Sequence, residues 1–294
     1  MATSRDIKAR IRSVTTTKKT TKAMNLVSSA KMARARGRLN AANPYFKLTK
    51  KTIGDILNGC AETISPEDFP FFEGNRPLKK ALVVAIANDR GLCGGYNSNV
   101  TKLAAQVALG LSDEGKSVTF FTIGNKARDF LRRGGAAIIG HVGGIAASPS
   151  VLDAQDITKE LVDMYENGDV DEIHVVYTEF VSAITYVPAS VRILPLSAAD
   201  FPAEEGHVRG MVKFEPNSTE VLTRVIPKYL STTMYETLIT SAASGQGATM
   251  AAMDAATENA ENIISNLTLV LNRVRQAAIT QEISEIVGGA NALE

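Results

Sequence analysis

The sequence predicts an α/β protein: a long antiparallel coiled coil of N- and C-terminal helices, plus a Rossmann-like α/β domain with a mainly parallel sheet. Three observations predict it. Residues 5–57 carry a seam at three- and four-residue steps: Ile7, Ile11, Val14, then Ser28, Met32, Ala35, Leu39, Ala42, Phe46, Thr49, Ile53 and Ile56. Residues 218–287 carry a second: Met253, Ala256, Ala260, Ile263, Leu267, Val270, Val274, Ala277 and Gln281. Between them, short apolar runs alternate with helical stretches. Steps of three and four keep one stripe of a helix against a partner helix, and apolar runs alternating with helices are the mark of βαβ units. At about 1.5 Å per residue the terminal segments would reach roughly 80 and 100 Å, so they have little to pack on except each other.

Taken in order, residues 1–58 form the first helix, with Ser4 as its expected N-cap. Its seam lapses over Thr15–Lys22, which holds no large apolar residue, and Pro44 predicts a kink or local break. Residues 59–78, with Gly59, Pro66, Pro70, Gly74 and Pro77, read as a linker. The α/β domain spans 79–196. Lys79–Ala87 is a buried parallel-type strand, followed by a Gly-rich turn from Asn88 to Asn97. Helices are expected near 98–113, 125–133 and 151–167, with strands at 118–123, 136–140, 172–180 and 186–194. The last strand pairs antiparallel, because only a short turn precedes it. Residues 197–216 read as a loop, and 217–294 as the C-terminal helix, with Pro227 tolerated near its start. The small and polar stretch Ser241–Ala248 contains two glycines. Each costs about 1 kcal/mol in a helix interior, which marks this stretch as the soft part of the helix.

The formal net charge of +1 hides an asymmetry. Residues 1–51 hold fourteen Lys or Arg and one acid, Asp6, a net charge of +13, whereas residues 217–294 carry −4. So basic an arm suits a polyanion: nucleic acid, anionic lipid or an acidic protein face. Aromatic platforms for single-stranded nucleic acid are scarce, with no Trp and 6% aromatics. Cys60 and Cys93 make neither a disulfide framework nor a metal-spaced cluster, which fits a reducing compartment. No apolar run approaches the ~20 residues of a membrane span. The basic, Ser/Thr-rich N-terminus loosely resembles a transit peptide, but the seam runs through it in register with the following helix. These features favour a soluble chain that meets a membrane only through partners.

The turn at Gly91–Gly95 has neither the Gly-x-Gly-x-x-Gly spacing of a dinucleotide site nor that of a phosphate-cradling P-loop. Asp89 and Arg90, at a strand's carboxyl end, could act in catalysis; the structural reading is a tight turn with an Asp89–Arg90 charge pair and Cys93 as a small buried hydrophobe. His141, His174 and His207 are dispersed, and His174 reads as a satisfied interior residue. No catalytic, cofactor or metal constellation stands out. Near the chain's end, Arg275, Gln276, Thr280 and Gln281 share helical neighbourhoods. They form either a solvated face or a cluster for directional bonds to another protein.

Three stretches carry a resemblance. Thr21–Met32, Asp89–Asn97 (Asp-Arg-Gly-Leu-Cys-Gly-Gly-Tyr-Asn) and Arg275–Ala290 strongly resemble the gamma subunit family of F-type, proton-translocating ATP synthases, and Leu230–Glu236 and Ala252–Asn259 add to the match. The likeness runs through essentially the whole chain. It implies a central-stalk rotor that transmits torque from a proton-driven c-ring to the catalytic alpha/beta hexamer and regulates ATPase activity, as a non-catalytic subunit without a cofactor. Implied partners are the alpha, beta, epsilon and c-ring subunits, not nucleic acid, at the cytoplasmic face of a bacterial inner membrane. By the same resemblance Arg275, Gln276, Thr280, Gln281 and Glu282 hydrogen-bond a loop of an alpha or beta subunit. Met24 faces the acidic lever of the catalytic subunit, which gives Lys18, Lys19, Lys22 and Lys31 an acidic partner. The chain departs from the family at Thr249, where relatives usually carry Arg, and at Gly245-Gln246-Gly247, where a Glu is common. A salt bridge inferred for relatives there is not expected here. The central domain has no chloroplast-type Cys pair. The rivals from other classes are a basic coiled-coil scaffold that binds nucleic acid with strong salt dependence, and an α/β enzyme with helical arms, which predicts turnover by the chain alone.

Overall fold

The computed structural model describes residues 3–59, 70–74, 76–182, 185–201, 215 and 217–291. The chain divides into two compact units, Met1–Ser28 with Thr249–Glu294, and Ser29–Ala248. Two long helices, α1 (Ser4–Gly59) and α5 (Ser218–Asn291), contribute to both.

The larger unit is built on five strands, β1 (Lys80–Ile86), β2 (Ser117–Ile123), β3 (Ile138–Val142), β4 (Glu172–Phe180) and β5 (Tyr186–Leu194). Between them run α2 (Tyr96–Asp113), α3 (Asn125–Arg133) and α4 (Val151–Glu166). The strand order is β3-β2-β1-β4-β5, parallel throughout except for β5, which pairs antiparallel with β4. β1 sits at the centre, and every residue after its first is buried. Its side chains alternate between two cores, as the pleat requires. Leu82, Val84 and Ile86 join Ile157 and Leu161 of α4, Ile53 and Ile56 of α1, and Leu222, Leu230, Met234 and Leu238 of α5. Ala81, Val83 and Ala85 face Val100 and Ala104 of α2 and Ala127 and Leu131 of α3. Two-sided burial explains why β1 reads as a continuous apolar run.

Within this unit α1 stays helical through Pro44, without the expected break. The proline costs the Asn40 carbonyl its i+4 partner, but Phe46 and Thr49 in the next turn are buried and hold the helix in place. Residues 60–69 of the expected linker and 202–214 of the expected loop lie outside the described residues, as do Cys60 and His207. In their described parts most residues are exposed, with three aromatic side chains as exceptions. Phe71, Phe72 and Phe201 are buried, and the Leu196 amide donates to the Phe71 carbonyl.

The smaller unit pairs the start of α1 with the end of α5, antiparallel. Lys18 Nζ meets Glu261 Oε1 at 2.8 Å, the Thr21 and Thr257 hydroxyl oxygens lie 2.7 Å apart, and Asn25 Nδ2 donates to the Met250 carbonyl at 3.0 Å. The seam therefore does not lapse at Thr15–Lys22. Lys18 and Thr21 continue the inward face between Val14 and Ser28 with polar members. Sequence placed the α5 seam on Ile263 and Val270, yet both are exposed, while Ile264 and Leu271 are half-buried. A four-residue step from Ala260 to Ile264 shifts the stripe, and Ala277 and Gln281 then fall on solvent. The N-cap of α1 is Thr3 rather than Ser4. Asp6 N donates to Thr3 Oγ1 at 3.3 Å while the Asp6 carboxylate accepts from Thr3 N at 3.0 Å, a reciprocal capping pair. The bonds from Thr3 hold the Asp6 carboxyl below its ordinary value.

Candidate functional site

Open α/β sheets bind ligands in the crevice at the carboxyl ends of the strands, where the strand order reverses. Here that point lies between β1 and β4, because the chain moves from β1 out through β2 to β3 and returns to β4 on the other side. The crevice is filled by α5. Ser241, Ser244, Gly245 and Ala248, at helical spacings of three, one and three, present one face of small side chains to it. The Thr178 amide of β4 donates to Ser241 Oγ at 3.3 Å, and Ser244 Oγ donates to the Thr178 carbonyl at 3.1 Å. From α2, the Tyr96 hydroxyl donates to the Ser241 carbonyl at 2.9 Å. Beyond β1, Asn88 lies so close to Gly245 that a Cβ there would stand 2.8 Å from its amide atoms. Ser241–Ala248 is thus buried and bonded rather than soft. The small side chains that weaken the helix locally are what allow its backbone to approach the sheet.

The Gly-rich turn is the other half of this seat. Burial pushes the Tyr96 hydroxyl up to about 12, against the bond from Ser241, so it stays protonated and able to donate. Cys93 is buried, packs with Tyr96 and Ala248, and accepts from Asn97 Nδ2 at 3.1 Å. The expected Asp89–Arg90 pair is not formed. Asp89 Oδ1 accepts instead from the Asn125 amide (3.1 Å), Asn125 Nδ2 (3.1 Å) and the Gly144 amide (2.9 Å), while Arg90 is exposed. Backbone donors at the start of α3 and after β3 satisfy the carboxylate without ordering a long side chain. Gly124, at φ +89°, lets these segments close, since a Cβ there would strike the Ala87 carbonyl. The turn's residues therefore knit loops together and hold α5. Sequence reasoning missed this pairing, although the small residues at 241, 244, 245 and 248 were its signal.

A second polar cluster lies at the opposite end of the strands. The buried Glu172 carboxylate sits between Lys116 Nζ and His174 Nε2, each at 2.6 Å. Burial alone would raise this carboxyl, but the bonds from His174 and Lys116 outweigh it and hold it at about 2. His174 is thus a satisfied interior residue, and His141 bonds Thr122. Among the described residues no group of three or more His, Cys, Asp or Glu could hold a metal ion.

The residues assigned by resemblance lie on two helix stretches of the smaller unit, except Lys31, which is exposed on α1 in the larger unit. On α1, Lys19 and Lys22 are exposed and Met24 is half-buried. Lys18, half-buried, pairs with Glu261 of the same chain. Arg275, Gln276, Thr280, Gln281 and Glu282 are all exposed on α5. Thr280 Oγ1 donates to the Gln276 carbonyl at 3.0 Å and Gln281 Nε2 to Glu285 Oε1 at 2.9 Å, both within the same helix. No helix among the described residues is long and apolar enough to cross a membrane.

Fold and site together define a class of protein: a nucleotide-type α/β layout whose ligand crevice is occupied by one of its own two long helices. Comparison with known proteins makes the class specific. A family model described as ATP synthase matches residues 3–293. The ATP synthase gamma chain of Desulfitobacterium hafniense is 40% identical over 294 residues, covering 100% of both chains. That of Alkaliphilus metalliredigens is 44% identical over 98% of each. The chain belongs to the gamma-chain family of ATP synthases. Among solved structures, a chain of the central stalk and c-ring of the Tetrahymena thermophila mitochondrial ATP synthase shares the fold. Its TM-score is 0.60 at 23% identity, over 80% of this chain and 98% of that one.

Proposed function

We propose that this chain is the central-stalk rotor of a proton-translocating ATP synthase, carrying torque between a c-ring and a catalytic alpha/beta hexamer and doing no chemistry itself. The observation that carries the non-catalytic part is the occupied crevice: Ser241, Ser244 and Gly245 stand where an α/β enzyme would hold its ligand. Family membership carries the rest. In this reading residues 1–58 and 217–294 form the torque-bearing helices and 79–196 the mount, with 59–78 and 197–216 connecting them. Epsilon and the c-ring bind the mount, and the complex lies peripherally on the cytoplasmic face of a bacterial inner membrane. Arg275, Gln276, Thr280, Gln281 and Glu282 meet an alpha or beta loop through directional bonds. Met24, Lys19 and Lys22 face the acidic lever of beta, and Lys18 joins them only when its pair with Glu261 opens.

Replacing Gln276 and Thr280 together by Ala tests the contact. ATP turnover of the assembled complex is expected to fall while the helical circular dichroism of the isolated chain stays parental, since both side chains are exposed. Parental turnover in a fully assembled double variant would remove these residues from the interface.

A further inference from the structure

We propose that Ser241 and Ser244 are positioning residues that key α5 to the sheet, fixing the helix against rolling at the point where torque enters it. The proposal rests on the rotor reading for its purpose, but the key itself is a matter of geometry.

Both serines bond the same residue. The Thr178 N–H donates to Ser241 Oγ, and Ser244 Oγ donates to the Thr178 C=O. β1 and β4 pair only as far as Ala85 and Val176, so the β4 backbone beyond that point lacks a strand neighbour on its β1 side. Two hydroxyls from one helix face supply the missing ladder bonds. On the β5 side, Thr178 stands opposite Pro188, which has no N–H to offer. Thr178 spends both of its backbone groups on α5, which is why a proline is tolerated across from it. The Tyr96 hydroxyl adds a third point from α2, on the Ser241 carbonyl.

Apolar packing is non-directional. A pair of hydrogen bonds to one residue is directional. One residue of rotation, about 100° on a helix of 3.6 residues per turn, breaks both. Gly245 and Ala248 keep the backbone near enough for short serine side chains to reach the strand. Larger residues on this face would lift the helix and leave the Thr178 N–H and C=O buried without partners. What binds a ligand in other α/β folds is here a socket for the chain's own helix.

The test is the Ser241→Ala, Ser244→Ala double variant in the reconstituted complex, with two measurements. Amide exchange at Thr178 is expected to rise roughly fivefold, as for one lost hydrogen bond. The ratio of ATP-driven ion pumping to ATP hydrolysis is expected to fall, while hydrolysis by the unloaded hexamer–rotor complex stays parental. A Leu238→Ala variant, destabilised in the same core but with both serines intact, should keep the parental ratio. Unchanged exchange at Thr178 would show that the key is absent. Raised exchange with a parental ratio, or an equal loss of ratio in Leu238→Ala, would show that the serines only stabilise. Failure of the parental chain itself to support pumping would count against the rotor reading rather than the key.

Discussion

One helix, α5, lives in two environments. Up to Ala248 it lies on a sheet, with Leu222, Ile226, Leu230, Met234 and Leu238 buried almost completely and its small residues bonded to strand ends. From Thr249 on it offers one narrow stripe, and past Val274 every described side chain through Gly288 is exposed, Ile286 at 71%. The first stretch has the composition of a domain core. The second keeps Ile279, Ile283, Ile286 and Val287 in water, a run of exposed apolar side chains that soluble surfaces seldom carry without a partner. The same secondary structure thus serves anchorage in one stretch and exposes an apolar face in the other.

Truncating the two stretches should break the comparison if it is false. Leu238→Ala, at 1% exposure, is expected to destabilise the larger unit by about 3 kcal/mol, seen as a lower urea midpoint. Ile283→Ala should leave that midpoint unmoved, because its side chain is already in water. Equal losses at both sites would mean that Ile283 finds a partner within the chain.

Next in size is the Glu172 cluster, which anchors the strand ends opposite the α5 seat. Glu172→Gln leaves Lys116 and His174 without their carboxylate and should cost about 2 kcal/mol. The pH dependence follows from the sign of the shift. The folded value of about 2 lies below the ordinary 4.5, so the carboxylate contributes stability above pH 4.5. That contribution is lost as pH falls from 4.5 toward 2. Acid titration of stability should therefore be flatter in Glu172→Gln than in the parent over this window. Parallel titration curves would dissociate the cluster from acid stability.

Glycines sharpen the contrast further. Gly37 meets nothing within 4 Å of a built Cβ, so Gly37→Ala should gain about 0.5–1 kcal/mol from helix propensity alone. Gly245→Ala has the same propensity gain available but drives a methyl into Asn88, so its thermal midpoint should not rise with that of Gly37→Ala. Matching gains would mean that Asn88 moves aside freely and that the close approach at Gly245 is not required.

Most of the fold was legible because its signals are local. β4 and β5 fall on residues 172–180 and 186–194 as their apolar patterns require, and α5 begins at Ser218, where Asn217 Oδ1 accepts from the Glu220 amide. The misses involve contacts between segments far apart in sequence. The role of Ser241–Ala248 depends on Thr178 and Tyr96, and no period within the helix can announce them. Asp89 was assigned to Arg90 because they are neighbours in sequence, whereas its donors come from Asn125 and Gly144. Three- and four-residue steps also allow more than one stripe. The choice of Ile264 over Ile263 is settled by the partner helix, not by spacing.

The smallest expected effect lies in the polar seam of the smaller unit. Thr21 is buried, and its hydroxyl can donate either to Thr257 or to the Lys18 carbonyl. Thr257 likewise has the Met253 carbonyl at 2.7 Å. Each hydroxyl thus keeps an acceptor in its own helix when the other is removed, so no group is stranded. Thr21→Val loses one cross-helix bond and gains a methyl on a seam faced by small residues such as Ala256 and Ala260. The two changes oppose each other, and the net is expected within about 1 kcal/mol of zero. Helical circular dichroism during thermal unfolding reads it directly. A loss of about 3 kcal/mol, the scale of Leu238→Ala, would mean that this seam is held as tightly as the core and that α5 does not divide into an anchored and an open stretch.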